Sequence, residues 1–150
     1  MPADRDELLD RYRKTRTELL AVIDGLSDEA MSETTLDGWS VKDHLLHLAL
    51  WDDIRVQEVA RIAAGHDSAW RMSEQQDAVF DEMAYELRRD LSPQQALWEL
   101  HTSRRRLLDA ISAAPASALD PSLYGEAGLV NGHEEQHTGW IARWRGAQRA

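Results

Sequence analysis

The chain has 150 residues, 43% hydrophobic and 29% charged, with a formal net charge of −10. That length can bury a real core in one domain, 1–150, and the composition is that of an ordinary soluble globular protein. The acidic balance opposes binding to nucleic acid or an anionic membrane, and the lack of cysteine excludes disulfides, thiolate metal sites and a cysteine nucleophile.

The N-terminal stretch MPADRDELLDRYRK is charged from the start and does not read as a secretory signal, so a cytoplasmic protein is expected. No apolar run approaches the length of a membrane span. The first helix is expected from about Asp4 to Ile23, where Leu8, Tyr12, Thr15, Leu19 and Val22 recur at helical spacing and Gly25 ends it. A second helix begins after LDGWS, with Ser40 as N-cap and Asp43 completing an acidic capping box. It runs to about Ala64, where GHDS breaks it.

Residues 65–91 read as a long connection with a helical pattern of its own: Val79, Phe80, Met83, Ala84 and Leu87. A third long helix opens at LSPQQ, with Ser92 as cap, Pro93 at the first helical position and Gln95 closing the box. Leu97, Leu100, Leu107 and Ile111 form its buried stripe. Arg104, Arg105 and Arg106 fall within it, but three adjacent helical residues point in different directions and make no single basic patch. The last helix carries HEEQH and places Val130, His137, Ile141 and Trp144 on one face. It starts at Asn131 or nearer Glu126. Period-two alternation is missing. Four amphipathic helices of this length make an all-α four-helix bundle, and the long connection between the second and third suits a crossover.

The chain has six histidines. His66 and His101 read as surface residues. His133 and His137 are four apart, so on a helix both imidazoles share one face. Each neutral ring can offer one nitrogen to a metal at about 2.0–2.1 Å. A pair needs a third ligand from another helix, and the second helix offers His47 and His44, which spacing alone does not separate. HEEQH also matches the H-E-x-x-H motif of zinc proteases. Residues 138–150 hold no His, Asp or Glu and lack the glycine-containing extension to a third histidine. Glu134 lies about 100° around the helix from His133 and is expected to face solvent, with a bundle-facing orientation left open. A third ligand upstream stays open, but the pattern is not the usual plan of such a protease.

DGWSVKDHLLHLALWDD and GHEEQHTGWIARW together resemble the helix-2 and last-helix segments of the DinB-like (YfiT-like) superfamily. The stretch AWRMSEQQDAVFDEMAYELRRDLSPQQALWEL resembles the crossover region of its ClbS/DfsB-like and maleylpyruvate-isomerase-like branches. The resemblance implies a bundle of up-down-down-up order. It also implies a divalent metal such as zinc, nickel, iron or manganese on three histidines, with His47 matching the helix-2 ligand and His133 and His137 the last-helix pair. Members include thiol-dependent transferases and isomerases that use mycothiol or bacillithiol, and others resemble a metal-independent hydrolase of a reactive genotoxin. The expectation is therefore a thiol-dependent S-transferase or small-molecule hydrolase. A metal-free hydrolase, a sequestering protein and a non-catalytic stress-related binding protein stand as alternatives. The expected partner is a small-molecule substrate, with a homodimer common for such bundles. Trp51 and Trp140 fall beside the histidines by spacing, with core packing as their first role, and Trp39 reads as a packing staple at a helix entry.

Overall fold

The computed structural model describes residues 1–35 and 38–148; Leu36 and Asp37 of the LDGWS stretch, and Arg149 and Ala150, lie outside the described residues. Among the described residues six α-helices follow one another: α1 (Arg5–Ile23), α2 (Asp28–Ser32), α3 (Val41–Ala63), α4 (Glu74–Arg88), α5 (Pro93–Ala113) and α6 (His133–Gln148). Two short 3₁₀ turns, Ala116–Leu119 and Pro121–Leu123, lie between α5 and α6. The described residues contain no β-strand, only an isolated bridge between Thr34 and Ser40.

Local chemistry sets the helix starts. The Asp4 carboxylate accepts from the Glu7 backbone N–H at 3.0 Å. Ser40 and Asp43 exchange side-chain and backbone bonds at 3.1 and 2.9 Å, and Ser73 and Gln76 do the same at 3.2 and 2.9 Å. Ser92 accepts from Gln95 N–H at 3.1 Å, ahead of Pro93. Each cap satisfies an otherwise orphaned N–H and contributes about 1 kcal/mol. Gly25, with φ +77°, lets the chain leave α1 in a left-handed turn that a side chain would strain.

Side-chain partners fix the topology. Arg11 reaches Glu135 and Arg145 reaches the Val22 carbonyl, so α1 and α6 run parallel. Leu45 and Leu48 share a cluster with Ala96 and Leu100, while Val59 and Ile62 join Leu107 and Ile111, so α3 and α5 also run parallel. Leu19 and Ile23 of α1 belong to the first cluster and Leu8 and Leu9 to the second, so the two pairs oppose each other. The order is up-down-down-up, and α4 lies in the crossover that the parallel α3–α5 pair requires. Buried Glu58 holds the crossover's start, accepting from Ser68, from Arg61 and from the Ala69 N–H. Arg88 holds its end through the Leu46 carbonyl at 2.8 Å and Glu99 at 2.9 Å.

The two apolar clusters occupy opposite ends of the bundle. Leu19, Leu45, Leu100 and Ile141 are fully buried at one end, and Leu107, Ile111, Leu119 and Leu129 at the other. Each such side chain stabilises by about 1.5–3 kcal/mol. Between them lies a charged layer. Asp52 receives Arg16 at 3.0 Å, Arg104 at 2.9 Å and Arg55 at 3.3 Å, and Glu134 receives Arg16 at 2.9 Å and Arg104 at 2.8 Å. Remaining donors reach the carbonyls of Tyr12, Leu100, Ala127 and Gly128.

Three expectations need correction, and the helical pattern of residues 79–87 stands as α4 with its apolar stripe turned outward. Glu134 does not face solvent: it is 8% exposed and ion-paired. Val130 precedes α6 and is 42% exposed, because the helix begins only at His133. Val79, Met83 and Leu87 form the outer stripe of α4, which turns a mixed face of Phe80, Asp81 and Ala84 toward the bundle. Leu97 is half-buried at the margin of its cluster. The short α2 and the two 3₁₀ turns carry too few residues for a periodic signal.

Candidate metal centre

α6 presents His133 from its first turn and His137 from the second, and Asn131 Oδ1 accepts the His133 backbone N–H at 3.0 Å. α3 presents His44 and His47 across the bundle, both buried. Nε2 of His47 lies 2.9 Å from Nε2 of His133, and Nε2 of His133 lies 3.2 Å from Nε2 of His137. One nitrogen each from His47, His133 and His137 lie within 4.8 Å of one another. Nitrogens bound to one ion at 2.0–2.1 Å with tetrahedral angles sit about 3.3 Å apart, so the separations of His133 from His47 and from His137 suit a shared ion. Sequence spacing left His44 and His47 level. The structure brings His47 to the convergent group and sets His44 behind His137, with their Nδ1 atoms 2.7 Å apart. His66 and His101 are exposed and lie outside the cluster, as their sequence positions suggested.

Electrostatics keeps the rings neutral. Burial lowers His47 to about 3, with His133 and His44 adding repulsion. Burial and the Arg55 guanidinium lower His133 to about 4. Burial, then His133, His47 and His44, lower His137 to about 2. Metal ligation requires neutral imidazole, so no proton has to be displaced at neutral pH. Three neutral nitrogens converging at hydrogen-bond distance fit poorly together, since one proton between them serves only two. A cation at their centre satisfies all three lone pairs, and the donor set therefore fits a divalent ion.

The crossover contributes what the sequence reading missed. Asp81 Oδ1 lies 3.7 Å from His47 Nδ1, too far for a hydrogen bond, and that oxygen is buried without a hydrogen-bond partner. Burial, with Asp77 nearby, raises the Asp81 carboxyl to about 6 despite a hydrogen bond from Trp51. An open groove of about 710 Å³ leads to the site between Trp51, Asp77, Asp81, Glu126 and His133. A smaller one of about 280 Å³ runs between Trp39, His47, His137 and Trp140. Trp51 packs edge-on against Trp70 and Phe80, with ring centroids 6.2 and 5.7 Å away. Trp51 is thus both core and groove wall. Trp39 does more than staple a helix: its ring lies 5.5 Å from His44, 5.2 Å from His47, and stacks on Tyr85 at 5.8 Å. Only Asp81 had no spacing signal, because nothing in the chain pattern ties α4 to α3 at that point. Arg16, Asp52 and Arg104 did leave one, as charges of both signs set on otherwise apolar helix stripes.

No helix among the described residues is long and apolar enough to cross a membrane. Residues 11–141 match the DinB superfamily. No curated protein matches the chain. A solved structure of an uncharacterised protein from Escherichia coli UTI89 superposes with a TM-score of 0.82 at 18% identity, covering 99% of this chain and 96% of that one. At that identity the likeness concerns the fold alone.

Proposed function

The chain belongs to the DinB superfamily, and from that premise we propose that it is a divalent-metal-dependent enzyme acting on a small molecule. His47, His133 and His137 hold the ion, and the reaction is thiol-dependent S-transfer or hydrolysis of a small substrate. One observation carries this reading: three neutral imidazole nitrogens, those of His47 and His137 on buried rings and that of His133 on a half-buried one, converge beside an open groove. Three protein ligands leave coordination positions open, the mark of a catalytic rather than a closed structural site.

When bound, the ion supplies positive charge that favours ionisation of a thiol or a water beside it. The protein's own groups do the rest. The imidazoles stay unprotonated and aim their lone pairs at one point. Trp51 and Trp140 wall the approaches with apolar surface and limit water. With no cysteine in the chain, a thiol has to arrive as a cofactor, of which mycothiol and bacillithiol are the candidates. Zinc, nickel, iron and manganese are the candidate ions, and supply decides between metals on such ligands.

Elemental analysis of untagged protein, purified without chelating resin, tests the reading beside His47→Ala and His137→Ala. About one divalent ion per chain in the wild type, lost in both variants, is expected from a three-ligand site. A wild type that stays metal-free after incubation with zinc, nickel, manganese and iron(II) overturns the metal-enzyme reading in favour of metal-free hydrolysis or sequestration.

A further inference from the structure

His44 is the buried histidine that a three-ligand site leaves over; it is 1% exposed. Its Nδ1 lies 2.7 Å from Nδ1 of His137. The other nitrogen of the His137 ring, Nε2, is the one that faces His133. These two contacts use opposite nitrogens of one ring. A neutral imidazole carries a single proton, so a hydrogen on one nitrogen leaves a lone pair on the other. At 2.7 Å the two Nδ1 atoms share a hydrogen bond, and one of them donates. If His44 donated, His137 would carry its proton on Nε2, pointed into the cluster, and could not ligate. If His137 donates, its Nε2 offers a lone pair there.

We propose that His44 is a positioning residue, accepting the Nδ1 proton of His137 and so holding the tautomer and ring orientation in which His137 Nε2 is free to ligate. The proposal rests on the three-histidine reading above. His44 sits behind the His137 ring, on the side away from His133, so it is not a fourth ligand to the same ion. Trp39 and Trp140 flank it, with ring centroids 5.5 and 6.2 Å away, and keep its ring in place. The arrangement also accounts for a polar ring buried on α3 alongside the buried Val41 and Leu45. Outer hydrogen bonds of this kind fix the ring of a ligating histidine, and their loss typically weakens metal affinity by about 10–100-fold.

His44→Asn and His44→Phe, made in the full chain, separate acceptor from bulk. Asparagine sets an oxygen near the former Nδ1 and still accepts; phenylalanine keeps the ring's volume but accepts nothing. Cobalt(II), followed by its absorption bands, is the probe. His44→Asn is expected within about threefold of wild type, and His44→Phe weaker by about 10–100-fold. Equal affinity in His44→Phe, or an equally weak His44→Asn, overturns the proposal by showing that no acceptor is needed or that only packing matters. Cobalt bands that lose a nitrogen ligand in His44→Asn overturn it by making His44 a ligand. Nitrogen-15 NMR of the metal-free wild type reads the tautomer directly. A proton on His137 Nδ1 is expected, and a proton on Nε2 overturns the assignment. If the wild type binds no cobalt, the metal function fails alone, and the NMR result still decides the role of His44.

Discussion

Two polar layers lie side by side inside this bundle, and adjacent residues of α6 serve different ones. Glu134 belongs to the charged layer of Arg16, Asp52, Arg55 and Arg104, while His133 and His137 belong to the histidine layer. The charged layer is complete in itself: each carboxylate meets guanidinium groups, and spare donors find backbone carbonyls. The histidine layer is made of like groups. Its nitrogens converge with no opposite charge among the rings to reconcile them. A buried polar cluster that closes on itself does structural work, whereas one whose members all present the same unshared electron pair calls for a ligand.

The sharpest way to break the comparison is to remove one charge from the complete layer. Asp52→Ala leaves Arg16, Arg104 and Arg55 facing one another with one carboxylate fewer, and loss of a partner from a buried pair costs about 3–5 kcal/mol. Chemical denaturation should show that loss, together with a cooperative but earlier transition. His137→Ala removes an uncharged group and should cost less, leaving the metal-free fold intact. The layers should then differ in their response to ions. At a hundredfold excess over its dissociation constant, a divalent ion should stabilise the wild type by about 2.7 kcal/mol and leave His137→Ala unmoved. Equal thermal shifts in the two proteins would place the ion elsewhere.

The sequence made one layer more visible than the other. His133 and His137 stand out because a four-residue spacing on a helix is a geometric statement. Spacing alone left His44 and His47 level and the resemblance singled out His47; both are buried on α3, and the approach of α6 is what brings the His47 ring to His133. Glu134 was misplaced for a related reason. A turn of about 100° from His133 leads to solvent only if one face of the helix is covered, and the first turn of α6 is covered twice, by α3 and by the arginines of α1 and α5. The four-helix bundle and its crossover were legible from the caps at Ser40 and Ser92, four apolar stripes and the long connection, while the up-down-down-up order came from the resemblance to the DinB-like superfamily. The orientation of α4 was not, because its inward face is set by Asp81, by Arg88 and by aromatic packing around Phe80 rather than by its most hydrophobic stripe.

Acid offers a smaller, graded test of the same contrast. In the folded chain His47, His133 and His137 protonate only near 3, 4 and 2, against about 6.5 when unfolded. Above pH 6.5 both states are neutral there and the histidines add no pH dependence. Below it the unfolded chain takes up protons that the folded one refuses, so stability falls with falling pH, by at most about 1.4 kcal/mol per unit for each histidine. Asp81, raised to about 6, acts in the other direction: its ionisation costs the folded state stability as pH rises from about 3.8 to 6, which offsets part of the histidine slope. The metal-free wild type should therefore lose stability from pH 6.5 to 4 more steeply than His137→Ala, as read by urea midpoints at each pH. A bound ion should deepen the difference, because protons must then displace it.

The least effect is expected at the outer stripe of α4. Leu87 is 78% exposed and Met83 61%, so Leu87→Lys removes almost no buried surface. It should move stability by no more than about 0.5 kcal/mol and leave metal content unchanged. The neighbouring inward position gives the contrast within the same helix. Phe80 packs against Trp51 and Trp70 at 5.7 and 5.2 Å between centroids, and Phe80→Ala should loosen the wall behind His47 and raise solvent quenching of tryptophan fluorescence. If Leu87→Lys proved the more damaging of the two, the hydrophobic stripe of α4 would be covered in solution, and the assignment of its inward face to the metal centre would have to be reversed.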